Sequence, residues 1–120
     1  MERKVQICPA ALDDIEAILS RLESRTAFLR HLLKLKYWCS GDDQVIDLEV
    51  VWDENGFWEL CIDEQFGFCC GYRVEFFEEE FNGQIWIVNV RRDDEELSQR
   101  MVSTVNARID IVDGFLKQQL

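Results

Sequence analysis

The chain has 120 residues, of which 48% are hydrophobic and 31% charged, and its formal net charge at pH 7 is −11. This length suits one domain with a substantial core, and the charge excludes nucleic-acid binding through overall attraction, because neutralising phosphates requires clustered Lys and Arg. No apolar run reaches the roughly 18 residues of a membrane-spanning helix, and acidic residues come too early for a signal peptide. We therefore expect a single cytoplasmic domain, 1–120, that does not enter a membrane.

Cysteine usage argues against both a disulfide framework and a zinc site. There are five cysteines, an odd number, and no Cys-x-x-Cys pair. We expect reduced thiols, as in the cytoplasm, and no metal or other cofactor. The adjacent Cys69 and Cys70 leave a redox pair open as an alternative to buried or half-buried free thiols. The single histidine, His31, is interpreted as an ordinary helical side chain.

The N-terminal third predicts a short strand and two helices. Lys4 to Cys8 is a strand candidate, and Pro9 suits the first turn of a helix that continues to Leu22 at helical apolar spacing. Ser24 to Thr26 is expected to break this helix, and a second helix follows. The two helices together predict a helical hairpin.

Two β-hairpins follow, from Val45 to Asp63 and from Gly71 to Arg92. They turn at Asn55-Gly56 and Asn82-Gly83, residue pairs that tolerate the positive φ angles of tight turns. Two-residue and three-residue loops are both conceivable, but only the latter gathers apolar residues on one face, which fixes register strongly. In the second hairpin this register sets Val74 opposite Val90 and Phe76 opposite Val88. The expected core comprises Trp52, Trp58, Leu60, Val74, Phe76, Trp86 and Val88.

The same register places Arg73 opposite Arg91 on the other face of the sheet. Two directly opposed cations repel each other unless an anion lies with them. The anion is either a carboxylate of the protein or a phosphate of a ligand. Residues 41–96 carry three arginines and seventeen Asp or Glu, a net charge of −14, so carboxylates are abundant. After them, Asp93 and Glu96 resemble a capping box that opens a last helix with an apolar stripe.

The order of the elements, and several short motifs, resemble the RelE/ParE toxin superfamily, especially its phage-derived and HigB-like branch. The motifs are the helix opening 9–15, the Trp-Glu-Leu of 58–60, the Tyr-Arg-Val strand 72–77 and the final strand 87–92, which ends on arginines. The resemblance implies an α+β fold, with a four- to five-stranded antiparallel sheet, an N-terminal helical hairpin and a C-terminal helix.

Members of this superfamily cleave mRNA on the ribosome, where the 2′-OH attacks the adjacent phosphate, and are held by a cognate antitoxin. Such cleavage needs a base, an acid and cations that stabilise the phosphorane. The resemblance assigns the cationic role to Arg73 and to Arg91 or Arg92. Three features depart from the pattern: Cys61 stands where an arginine is expected, no lysine lies between Lys36 and Lys117, and neither His nor Tyr follows Tyr72.

A non-enzymatic acidic binding protein is the alternative. An immunity protein, an antitoxin or a nucleic-acid mimic engages a basic partner by charge complementarity, here through the sheet. The candidate partner-binding residues are Glu49, Glu59, Asp63, Glu75, Phe77 and Ile87, of which Phe77 and Ile87 are expected to be exposed. An acidic domain without such a task is a third possibility. A basic pocket around Arg73 would favour RNA, whereas neutralised arginines would favour the binding protein.

Overall fold

The computed structural model describes residues 3–40, 48–64 and 70–119 of the chain. Within these residues, five strands form one sheet, with helices before and after the hairpins. The strands are β1 (Val5–Ile7), β2 (Glu49–Asp53), β3 (Phe57–Ile62), β4 (Tyr72–Glu78) and β5 (Ile85–Arg92). The helices are α1 (Pro9–Ile18), α2 (Leu22–Leu33), a 3-10 turn at Lys34–Tyr37, and α3 (Gln99–Gln118). No described helix has the length and apolar character needed to cross a membrane.

The sheet confirms the α+β class, with one correction to its predicted character. The strand order is β1-β5-β4-β3-β2, and β1 pairs with β5 in parallel, so the sheet is mixed rather than purely antiparallel. The predicted hairpins account for the antiparallel pairs among β2 to β5. β1 leads directly into α1, which packs against β5, and this connection brings β1 to the sheet edge in the direction of β5.

The first hairpin has the predicted register. Val50 pairs with Leu60 and Trp52 with Trp58 around a three-residue loop. Gly56 has a φ of 105°, a conformation that few residues other than glycine adopt, and its N–H donates to the carbonyl of Asp53. Local turn chemistry and the apolar face therefore agree on this hairpin.

The second hairpin has the predicted register only in the half of its strands that lies far from the turn. Arg73 pairs with Arg91 and Val74 with Val90, but a bulge between Glu75 and Phe76 shifts the strand, so Phe76 lies opposite Ile87 rather than Val88. At the turn, the Glu79 carboxylate accepts a hydrogen bond from the backbone N–H of Asn82 and one from that of Phe81. These side-chain hydrogen bonds stabilise a wider turn than the predicted one. The bulge compensates for the wider turn, so the strand pairs beyond it have the predicted register.

The bulge changes which side chains of β5 are buried. Ile87 is fully buried, so its predicted exposure is wrong, and Trp86 is half-buried and pairs with Phe77. The predicted burial of Leu60, Val74, Phe76 and Val88 is confirmed.

Trp52 is the clearest error in the predicted core, with 55% of its surface exposed. Its neighbour Trp58 is half-buried because the ring of Trp38 covers it, with ring centres 5.0 Å apart. The Trp52 ring contacts the Trp58 ring, with ring centres 4.7 Å apart, and it lies on β2, the edge strand of the described sheet. An edge strand has one fewer neighbour to cover its side chains, which sequence alternation does not reveal.

Helix boundaries also differ from the predicted ones. α1 ends at Ile18 and α2 begins at Leu22, so the break precedes the predicted 24–26. α3 begins at Gln99, after Ser98, whose hydroxyl accepts a hydrogen bond from the Met101 backbone N–H. The predicted Asp93–Glu96 capping box is therefore wrong, since Ser98 supplies the cap.

Candidate functional site

Two rows of polar side chains cross one face of the sheet on β3, β4 and β5. In the first row Glu59 lies opposite Glu75, which lies opposite Asn89, and in the second Cys61 lies opposite Arg73. The second row ends with Arg91 on β5. Residues two apart on a strand point to the same face, so these side chains share it. We call Glu59, Glu75, Arg73 and Arg91 the arginine–glutamate cluster.

Arg91 is a buried member of this cluster, with only 8% of its surface exposed. Its Nη2 lies 2.9 Å from Glu59 Oε2, and its Nε lies 3.6 Å from Glu75 Oε1. Its Nη1 also donates to the backbone carbonyl of Glu95 at 2.5 Å. Protein carboxylates thus supply the anion that the opposed arginines require.

Arg73 lies at the rim of the cluster, with 34% of its side chain exposed. Its Nη1 is 3.9 Å from Glu59 Oε1 and donates to the Cys61 sulfur. Burial raises the pKa of the Cys61 thiol to about 11, despite the opposing charge of Arg73. A thiol with so high a pKa remains protonated near neutral pH, so it is a poor nucleophile.

Glu75 is a fully buried carboxyl group directly across from Glu59. The pKa of Glu75 is raised to about 8, chiefly by burial and also by the neighbouring Glu59 carboxylate. The Asn89 amide, which donates to Glu75 Oε1 at 2.7 Å, and the charge of Arg91 act in the opposite direction. The cluster therefore holds a proton on Glu75 at neutral pH, while Glu59 faces the arginines.

Side chains of α1 and α3 also contact the residues around the cluster. Arg108 of α3 donates to the Asn89 side-chain oxygen at 2.9 Å and to the Val88 carbonyl at 3.0 Å. The same guanidinium lies 2.7 Å from Asp14 of α1. Sequence reasoning missed Asn89 and Arg108 as members of this network. No sequence signal links them, because the contacts join parts of the chain that only the packing brings together.

The structure does not bring Arg92 to the other two arginines. Arg92 pairs across the strands with Tyr72, which places it on the opposite face from Arg91, and its Nε lies 3.4 Å from Asp94. Arg73 and Arg91 are therefore the only two of the three predicted cations that are adjacent.

The predicted partner-binding residues likewise do not form one exposed surface. Glu49 and Asp63 are exposed and Phe77 is half-buried. Glu59, Glu75 and Ile87 are buried, so they are inaccessible to a partner in this fold. Of the predicted carboxylates only Glu49 and Asp63 can belong to an acidic contact surface, together with other exposed carboxylates.

Among residues 3–40, 48–64 and 70–119, no three metal-binding side chains are placed to hold an ion together. His31 lies half-buried on α2, where burial and then the charge of Lys34 lower its pKa, with Asp63 opposing them. Cys69 lies outside the described residues, so the predicted state of the Cys69–Cys70 pair remains a prediction.

Comparison with protein-family models finds no match to this chain, and a search of curated proteins finds no significant similarity.

Proposed function

We propose that this chain is a non-enzymatic, toxin-antitoxin-type binding protein with a RelE-like scaffold, which engages a basic partner through acidic surface groups. The observation that supports this best is the state of Arg91. Its guanidinium is buried and paired with Glu59 and Glu75, so it is not available to a phosphate. Removing Arg91 would leave the buried Glu59 carboxylate without its closest cation, which is costly.

The acid and base of an RNA-cleaving site are also difficult to supply from this cluster. Glu75 holds a proton near neutral pH, but its side chain is fully buried and cannot reach a leaving oxygen. Cys61 is buried and protonated. The face around Arg73 therefore offers one half-exposed cation and no accessible proton donor among these neighbours.

The acidic surface, in contrast, suits a cationic protein. The stretch 41–96 carries a net charge of −14, and among its carboxylates that the structure describes, Glu59, Glu75 and Glu79 are buried. Exposed carboxylates of one sign accelerate encounter with a partner of opposite charge and suppress binding of like-charged molecules. RNA is therefore disfavoured, and a basic protein surface or segment is favoured.

A competition between two defined probes tests this function. A nona-arginine peptide and a single-stranded 12-mer RNA are titrated into the protein at about 150 mM salt, where exposed charges are screened beyond roughly 8 Å. We expect saturable binding of the peptide and none of the RNA. Binding of the RNA, with no binding of the peptide, would refute the proposal.

Ribosome-dependent mRNA cleavage is the second candidate, and one observation favours it: Arg73 keeps a third of its side chain exposed directly beside Arg91. Delivery of mRNA by the ribosome would offset the repulsion by surrounding carboxylates. The native chain and Arg73→Ala are expressed in growing bacteria, with the exposed Arg100→Ala as matched control. Growth arrest and mRNA cleavage that only Arg73→Ala abolishes would establish the ribonuclease.

A further inference from the structure

Both hairpins turn at the same end of the sheet, opposite the end at which Arg73 and Arg91 lie. Neighbouring antiparallel strands place the β2–β3 turn beside the β4–β5 turn. A groove of about 600 Å³ opens at this turn end. It is lined chiefly by aromatic and charged side chains, namely Trp52, Trp58, Phe77, Glu78, Glu80 and Arg3.

The aromatic part of this turn-end groove is unusually accessible. Trp52 has 55% of its surface exposed, although it packs edge-to-face against Trp58 at 4.7 Å. An exposed indole face attracts a Lys ammonium or an Arg guanidinium through the ring quadrupole. The half-buried Phe77 adds apolar surface for the aliphatic stem of such a side chain.

The carboxylates of the groove divide into engaged and available groups. Glu79 is buried and accepts backbone hydrogen bonds within its own turn, so it holds the turn together. Glu78 is paired with Arg3 at 2.6 Å. Glu80 is exposed, and the described residues place no ion pair on it: Lys117, which it attracts electrostatically, is paired with Asp113 at 2.9 Å. Glu80 is thus available to an incoming cation.

Arg3 shows how this end of the sheet binds a guanidinium. Its Nη1 lies on the Glu78 carboxylate, and its Nε donates to the Gly83 carbonyl at 2.8 Å. A carboxylate and a backbone carbonyl together satisfy the planar donors of arginine. Arg3 engages the Glu78 side of the groove, and the Trp52 face and Glu80 remain for a second cation.

Two other occupants fit less well. A second copy that pairs antiparallel with β2 about Val51 would set Glu49 opposite Asp53, and like charges directly opposite each other destabilise a sheet. An anionic ligand would be repelled by Glu78 and Glu80, with Arg3 already paired. Charge complementarity and the exposed indole together favour a cationic side chain.

We infer that the turn-end groove binds an arginine or lysine side chain of a basic peptide segment, held between the face of Trp52 and the carboxylate of Glu80. This inference rests on the proposed binding function and adds the place at which the partner docks and the chemistry that it presents there.

The test is a titration with nona-arginine peptide, followed by the indole N–H resonances of the four tryptophans at about 150 mM salt. The Trp52 resonance is expected to shift with saturation, and the Trp86 resonance to shift less. Trp52→Ala and Glu80→Gln should each weaken binding about 3- to 10-fold, the range that a partly desolvated cation–π contact or an ion pair supports. Glu96→Gln, an exposed carboxylate remote from the groove, is the matched control and should bind as the native chain does.

The outcomes separate this inference from the proposed function. Peptide binding that Trp52→Ala, Glu80→Gln and Glu96→Gln weaken equally would overturn the groove and leave the acidic binding function intact. No peptide binding at all would overturn both. Because Trp52 and Glu80 are exposed, the variants should fold, which thermal unfolding by circular dichroism verifies. Glu80→Gln keeps the test decisive if Trp52→Ala disturbs the hairpin.

Discussion

The two ends of the sheet hold similar residues in opposite states. In the arginine–glutamate cluster, Arg91 is 8% exposed and lies against two buried carboxyl groups. In the turn-end groove, Trp52 is 55% exposed and Glu80 is open to solvent. In the cluster the charged groups pair with one another, whereas in the groove Glu80 and Trp52 are exposed to solvent. Counting charged residues therefore cannot locate a binding surface; their burial decides which of them remain available.

The largest expected effect is the loss of Arg91. Arg91→Met should lower the free energy of unfolding by about 3–5 kcal/mol, because it leaves the buried Glu59 carboxylate without its closest cation. Arg73→Met removes a half-exposed cation 3.9 Å from Glu59 and should cost about 1 kcal/mol or less. Urea unfolding measures both. Equal losses would mean that the cluster is not the internal ion-pair network described above.

The second-largest effect is expected in the pH dependence of stability, which the titration of Glu75 should dominate. Its pKa of about 8 in the folded protein is raised from an ordinary value near 4.5. The folded state therefore retains a proton that the unfolded chain releases, so stability is fully present below pH 4.5 and is lost as the pH rises towards 8. Glu75→Gln cannot titrate, and its stability should fall less between pH 5 and pH 8 than that of the native chain.

Glu80→Gln is the matched control for that measurement, because it removes an exposed carboxyl group outside the cluster. If the native chain and Glu75→Gln lose equal stability between pH 5 and pH 8, the buried proton is not on Glu75.

A smaller effect tests how tightly the sheet is packed at the end that holds Arg73 and Arg91. A Cβ at Gly71 would clash with the Asp93 carboxylate and would lie 2.9 Å from the Ile62 carbonyl oxygen. Gly71→Ala should therefore destabilise the protein by about 1–3 kcal/mol. Gly114→Ala on α3 meets nothing within 4 Å and should stabilise by about 0.5–1 kcal/mol. Thermal unfolding distinguishes the two signs, and a neutral Gly71→Ala would show that the strand end relaxes easily.

The smallest expected effect is that of Trp52 on stability. Trp52→Ala should cost about 1 kcal/mol, mainly the edge-to-face contact with Trp58, because most of its surface is already exposed. Trp58→Ala should cost clearly more, since its ring also contacts Trp38 at 5.0 Å. A loss for Trp52→Ala as large as that for Trp58→Ala would place Trp52 in the core and weaken its assignment to the groove.

The amino-acid sequence by itself determined the local features of this protein. Apolar alternation and the Asn-Gly turns predicted two hairpins, the register of the first, and the opposition of Arg73 and Arg91. These features depend on residues close together in the chain, through turn geometry and the two-residue period of a strand. The motifs that resemble the RelE/ParE superfamily also come from the sequence, and the function they imply stays a prediction.

Only the tertiary structure decided what those residues can do. The bulge that buries Ile87, the parallel entry of β1, the burial of Glu59 and Glu75, and the reach of Arg108 to Asn89 all depend on contacts between distant segments. Whether a charged side chain is buried and paired or exposed depends on what packs above it. The same residue types therefore became an internal ion network at one end of the sheet and an open groove at the other.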